Sequence, residues 1–139
     1  MGKLTGLLDR FNSFTGRNSR HNRALRDVTD LSVAIQEFMS RYNLQEESSK
    51  LNFIFENIGS AKFDLTTIAH RTRMIIKTAK DIKGKRISPL IEEVHSDLED
   101  VRRALINPAL GSTILSEVLS KLRESFKKLH DAISDIEYK

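Results

Sequence analysis

The sequence has no cysteine, no tryptophan, two prolines, six glycines, and no apolar run longer than four residues among its 139 positions. Without cysteine there can be no disulfide, no thiolate nucleophile and no Cys-ligated zinc, although the compartment stays open. Without an apolar stretch near the roughly 20 residues that cross a bilayer, no transmembrane helix is expected. The first eight residues reach only Leu7 and Leu8 before Asp9 and Arg10 intervene, which is not a secretory signal, and Gly6 stands where a myristoylation site carries Ser or Thr. The expected location is cytoplasmic, with peripheral attachment to a membrane as its variant. No segment alternates with period two, so no sheet is expected. Walker loops, dinucleotide fingerprints and His-Glu-x-x-His are absent as well, and no cofactor or metal is expected.

What is present is charge, and it is segregated. Residues 1–90 hold 16 Lys and Arg against 9 Asp and Glu, whereas residues 91–139 hold 7 against 10. The apolar residues keep a helical period throughout. Counted in sevens, Leu51, Ile58, Leu65, Thr72 and Ala79 share one position, and Ile54, Ala61, Ile68, Ile75 and Ile82 share its partner. That is a seam of 3.5-residue repeat, spread over one long helix. Gly59-Ser60 is its expected bend or break, because Gly/Ser pairs are recognised kink sites. An earlier helix runs from near Asn22 to near Asn43, and Asn43 with Glu46 has capping-box spacing for a short turn into the long helix. Ser88-Pro89 reads as N-cap and first helical residue of the next one. Asn107-Pro108 ends it, and Gly111-Ser112 opens the last. The expected fold is all-α: an antiparallel four-helix bundle over residues 22–139, with five helices or an extended helical hairpin as alternatives. A basic arm, residues 1–21, precedes it.

Within the arm, Leu4, Leu7, Leu8, Phe11 and Phe14 form the apolar stripe of a short amphipathic helix, able to dock on a protein or a lipid headgroup layer. Residues 15–23 read as a basic linker. Lys3, Arg10, Arg17, Arg20, Arg23 and Arg26 face few acidic neighbours in sequence, and are the candidate contacts for an anionic partner, membrane or nucleic acid. A second basic stripe comprises Arg73, Lys77, Lys80, Lys83, Lys85 and Arg86. In an antiparallel hairpin it would lie level with Glu92, Glu93 and Asp97, so mutual neutralisation is the expectation for it, and the arm is the stronger candidate.

The most economical function is therefore non-enzymatic: an interaction or assembly protein that binds a protein partner or itself through apolar helix faces, with the arm on an anionic surface. Three resemblances qualify this. Arg123 and His130, separated by six residues, resemble the Arg-x6-His motif of HEPN-class ribonucleases, which implies metal-independent RNA cleavage by that pair; Glu124 stands where that class usually has Asn, Asp or His. His70 with Arg73 three residues on is similar to the phospho-acceptor site of histidine phosphotransfer bundles, with Met74 where such a site has a small residue. The Met1-Gly2-Lys3-Leu4 start before a basic hairpin looks like membrane-remodelling filament subunits of the ESCRT-III type. Glu92-x-x-His95 has dimetal-carboxylate spacing but lacks a second pair, so His95 is expected at the surface.

Overall fold

The computed structural model describes residues 19–47, 50–107 and 111–138, and these are all-helical, with no strand among them. The amphipathic arm residues Lys3, Leu4, Leu7, Leu8, Arg10, Phe11, Phe14 and Arg17 lie outside the described residues. The elements are α1 (Ser19–Arg41), α2 (Asn52–Glu56), α3 (Ile58–Thr78) with a 3₁₀ turn at Ala79–Asp81, α4 (Ser88–Ile106) and α5 (Gly111–Ser134).

Helix α1 starts earlier than the periodicity indicates, so residues 19–23 of the expected linker are helical. Its far end is set by Asn43, which adopts φ 56°. The Leu44 amide donates to the Met39 carbonyl at 2.8 Å and the Asn43 amide to Ser40 at 3.3 Å, the paired bonds of a Schellman motif with Asn in the left-handed position. Leu44 and Met39 are both buried beneath it. Asn43 therefore stops α1 and does not cap the next helix, which opens only at Asn52.

The long seam breaks at Asn57 and not at Gly59-Ser60. Asn57 leaves helical geometry (φ −128°, ψ 36°), and its side-chain Nδ2 donates to the Phe53 carbonyl at 2.8 Å, offering the backbone an alternative to a continuous helix. Gly59 and Ser60 then fall in the first turn of α3, where a glycine weakens little. Despite the break the seam stays inward: Ile54, Ala61, Leu65, Ile68, Thr72, Ala79 and Ile82 are buried, and Leu51, Ile58 and Ile75 are half-buried against the same core.

The expected cap of α4 is also different. Ile87 occupies the N-cap position, and the Ser88 hydroxyl donates to the Ile76 carbonyl of α3 at 3.3 Å. A serine that looks like a cap thus ties the end of α3 to the start of α4.

Helix α4 packs between α3 and α5, and α1 packs on α3 and α5 and on the 3₁₀ turn. Contacts join the start of each helix to the end of its neighbour: Thr72 with His95, Glu93 with Lys128, Arg41 with Asp64. The shared core draws Val28, Leu31 and Ile35 from α1, Val94, Leu98 and Val101 from α4, and Leu115, Leu122 and Leu129 from α5. Truncating any of these Leu or Ile side chains to Ala would cost about 2–5 kcal/mol. No helix of the described residues is long and apolar enough to cross a membrane.

Candidate anion-binding face

The face begins with a histidine that reads from sequence as part of a basic linker. His21 is buried, and both its ring nitrogens are used. Nδ1 accepts from the Lys83 amide at 2.8 Å, which leaves Nε2 as the protonated nitrogen, donating to the Glu137 carbonyl at 2.9 Å. One side chain thereby fastens the first turn of α1 to the α3–α4 connection and to the segment after α5. The consequence is electrostatic. Arg20 and Arg23, exposed on that first turn, come to the same end of the molecule as Lys83, Lys85 and Arg86. Two basic groups about 60 residues apart in sequence become one region.

From this end the cations continue along α3. Arg73, Lys77 and Lys80 follow one another at spacings of four and three, which keeps them on one face of the helix. All three are exposed. The neutralisation expected from α4 does not occur: among the described residues no ion pair joins Arg20, Arg23, Arg26, Arg73, Lys77, Lys80 or Arg86 to a carboxylate. Helix rotation is the reason for Glu93 and Asp97, though not for Glu92, which shares a concavity with Lys80, Lys85 and Arg86 without pairing with them. Glu93 lies on the α5 side of α4, where Lys128 reaches it at 3.5 Å, and Asp97 is on that side too. Burial pushes the Asp97 carboxyl above the usual carboxylate range and the nearby Glu93 and Asp100 add to this, while Ser125 and Lys121 of α5 oppose it. Of the second basic stripe, Lys85 does form a pair, with Asp135 at 2.7 Å.

Two concavities open along this side, one between the 3₁₀ turn, the connection after it and the start of α4, the other between α3 and α4. The first, about 400 Å³, lies at the His21 end and includes Lys80, Lys85, Arg86, Ser88 and Glu92 in its wall. The second, about 220 Å³, is lined by Thr66, Ala69, His70, Arg73, His95, Glu99 and Arg102. Lys77 stands between them in the sequence of α3. Contrary to expectation, His95 is half-buried, with Nδ1 2.6 Å from the Thr72 hydroxyl, which itself donates to the Ala69 carbonyl at 2.6 Å. Arg102 donates from Nη2 to Glu99 at 3.1 Å, while its Nε–H is buried and meets no acceptor among the described residues. Sequence inspection passes over Arg102, but His95, Glu99 and Arg102 recur at spacings of four and three, which was the available signal.

Toward α1, α3 exposes Phe63 (72 %) and Met74 (61 %), two large apolar side chains outside the core; Phe63 lines a concavity with Glu37, Arg41 and Asp64, and Met74 one with Asp27, Asp30 and Arg71. On the opposite side of the molecule Arg123 and His130 line one concavity of about 390 Å³ with Gln36, Met39, Gln45, Phe126 and Lys127. Arg123 is half-buried and donates from Nη1 to the Leu44 carbonyl at 2.8 Å, and His130 is exposed with its ring centroid 6.0 Å from that of Phe126. Among the described residues no three metal-ligating side chains converge. No protein-family model, curated protein or solved structure matches the chain.

Proposed function

We propose that this chain is a non-enzymatic helical interaction protein, an antiparallel four-helix bundle that lays the α3–α4 basic face against an anionic membrane surface. The arm, with Lys3, Arg10, Arg17, Arg20, Arg23 and Arg26, extends that contact. One observation carries the reading: the cations along α3 and at the start of α1 form no ion pair among the described residues, Glu93 and Asp97 of α4 being turned to α5 and Glu99 being taken by Arg102, so that Glu92 is the α4 carboxylate left facing them. A membrane is favoured over nucleic acid by Phe63 and Met74, which stand exposed on the same helix and suit the headgroup–acyl boundary. The amphipathic stripe of the arm has the same character. Apolar contact with a protein partner or a second copy remains compatible with those two side chains.

The test is co-sedimentation with vesicles of phosphatidylcholine, with and without phosphatidylserine. Each Lys or Arg near an anionic surface is worth about 1 kcal/mol, so changing Lys77, Lys80 and Arg86 together to Gln should weaken binding on the order of 100-fold. Binding should also fall with added salt. Tight binding to RNA or DNA with none to anionic vesicles would replace the membrane in this reading.

A second reading is favoured by the shared concavity of Arg123 and His130. It is the HEPN-like ribonuclease, which predicts RNA cleavage in the presence of a chelator, lost in Arg123→Ala and in His130→Ala. Because Arg123 also holds the Leu44 carbonyl, His130→Ala is the cleaner variant; undiminished cleavage in it removes the reading.

A further inference from the structure

The smaller concavity between α3 and α4 has donors and acceptors in a combination that selects among anions. We infer that it binds the singly protonated form of a phosphate monoester, a monoanion that keeps one P–OH.

Its donors are Arg73, exposed at the rim, His70, and Arg102, whose guanidinium is half used. Glu99 takes Nη2 of Arg102, but the Nε–H is buried without an acceptor among the described residues. A buried donor lacking an acceptor carries a desolvation cost. The Arg102 side chain is itself partly exposed, so a modest turn of its guanidinium toward the cavity would give this N–H a phosphate oxygen, in the bidentate geometry a guanidinium favours. Thr66 adds no donor, since its hydroxyl is committed to the Lys62 carbonyl at 2.8 Å.

The acceptors decide which anion fits. The Thr72 proton goes to the Ala69 carbonyl, so the 2.6 Å bond to His95 is made by Nδ1–H donating to Thr72. In the neutral ring Nε2 is then an acceptor. Glu99 contributes a carboxylate, also an acceptor only. Both repel an oxyanion without a proton, such as sulfate, and both can receive the P–OH of a monoester, whose second pKa near 6 leaves a protonated fraction at neutral pH. A phosphodiester, with no such proton, satisfies neither. The volume, about 220 Å³, falls below that of typical pockets for drug-sized ligands, roughly 300–1,000 Å³, and suits a single headgroup or free anion. The inference deepens the membrane reading, on which only the source of the monoester rests.

Nitrogen-15 NMR observes the Arg102 Nε–H directly. At fixed pH 7.5, where the imidazole is chiefly neutral and inorganic phosphate still carries a P–OH, and at fixed ionic strength, phosphate should shift that resonance saturably, and sulfate should need at least about tenfold more to do so. Arg73→Gln should weaken the phosphate response several-fold, and Glu99→Gln should narrow the phosphate-over-sulfate difference. No saturable shift, or equal shifts from phosphate and sulfate, overturns the inference. Vesicles then separate the sources. Phosphatidic acid, a monoester, should be preferred over phosphatidylserine at matched surface charge, and the preference should vanish when Arg73 and Arg102 are both Gln. A phosphate response without that preference assigns the site to the free anion. A phosphate response with no vesicle binding at all removes the membrane reading and leaves the pocket standing; vesicle binding without a phosphate response does the reverse.

Discussion

The two ends of α1 are fastened by different chemistry, and the difference explains where the free charge lies. At the start, His21 is buried and bonds to two backbone groups from distant segments, so the end closes chiefly without spending ionised side chains. At the other end the ties are ionic. Tyr42 donates to Asp64 at 2.7 Å, Arg41 pairs with the same carboxylate at 3.0 Å, and Arg123 reaches the Leu44 carbonyl. The C-terminal part of α4 follows the same habit, with Arg102 on Glu99 and Arg103 on Asp100. Where closure uses backbone groups, neighbouring cations stay available to a ligand. Among the described residues Lys85 and Asp135 do pair at the His21 end, and both are substantially exposed, so the pair contributes little.

Breaking the backbone-bonded end should have the largest effect. His21→Ala removes both bonds and leaves the Lys83 amide and Glu137 carbonyl without their partner, so we expect about 2–4 kcal/mol of lost stability in urea denaturation. The Lys83 amide should lose hydrogen-exchange protection at the same time. A smaller loss than that from the Tyr42 substitution below would invert the ranking of the two ends.

At the ionic end Tyr42→Phe keeps the ring packed against Phe38, 5.0 Å between centroids, and deletes only the hydroxyl bond to Asp64. The expected cost is about 1 kcal/mol at neutral pH. Burial, then the hydrogen bond and charge of Asp64, hold the Tyr42 phenol above its ordinary value. The folded form therefore keeps its proton longer than the unfolded chain, and wild-type stability should fall as pH rises past about 10, the unfolded value. Tyr42→Phe should lack that decline. Parallel pH profiles for the two proteins would contradict the assignment.

The smallest effect concerns the acidic side of α4. With the Asp97 carboxyl raised mainly by burial, its ionised form is penalised in the folded state, so its destabilising effect is present at neutral pH and absent below about 3.9, the unfolded value. Asp97→Asn should add no more than about 0.5 kcal/mol at pH 7, since the group is partly solvated, with the gain vanishing at pH 3. Thermal melts at the two pH values measure it. A loss at pH 7 would mean that Lys121 and Ser125 outweigh burial.

Periodicity was a good guide to the helices because each must bury a stripe. The seam of residues 51–82 and the face of α5 through Leu115, Leu119, Leu122 and Leu129 lie inward as their spacing indicates. Boundaries were less legible. Asn43, Asn57 and Ser88 each have side chains suited to more than one local role, and the backbone bonds around them decided which. Spacing also put Arg123 and His130 on a common face, and they do share a concavity. The candidate anion face was legible only in pieces: its cations could be counted, but whether they were neutralised depended on the rotation of α4.

By itself, then, the sequence determined an all-helical chain, its apolar faces and the segregation of its charge, because those follow from local period and composition. Only the tertiary structure decided that Glu93 and Asp97 turn to α5, that His21 is a buried tie instead of part of a linker, and that Arg73, His95 and Arg102 meet. These depend on how whole helices rotate against one another, which is set by the packing of every core residue together and by no single segment.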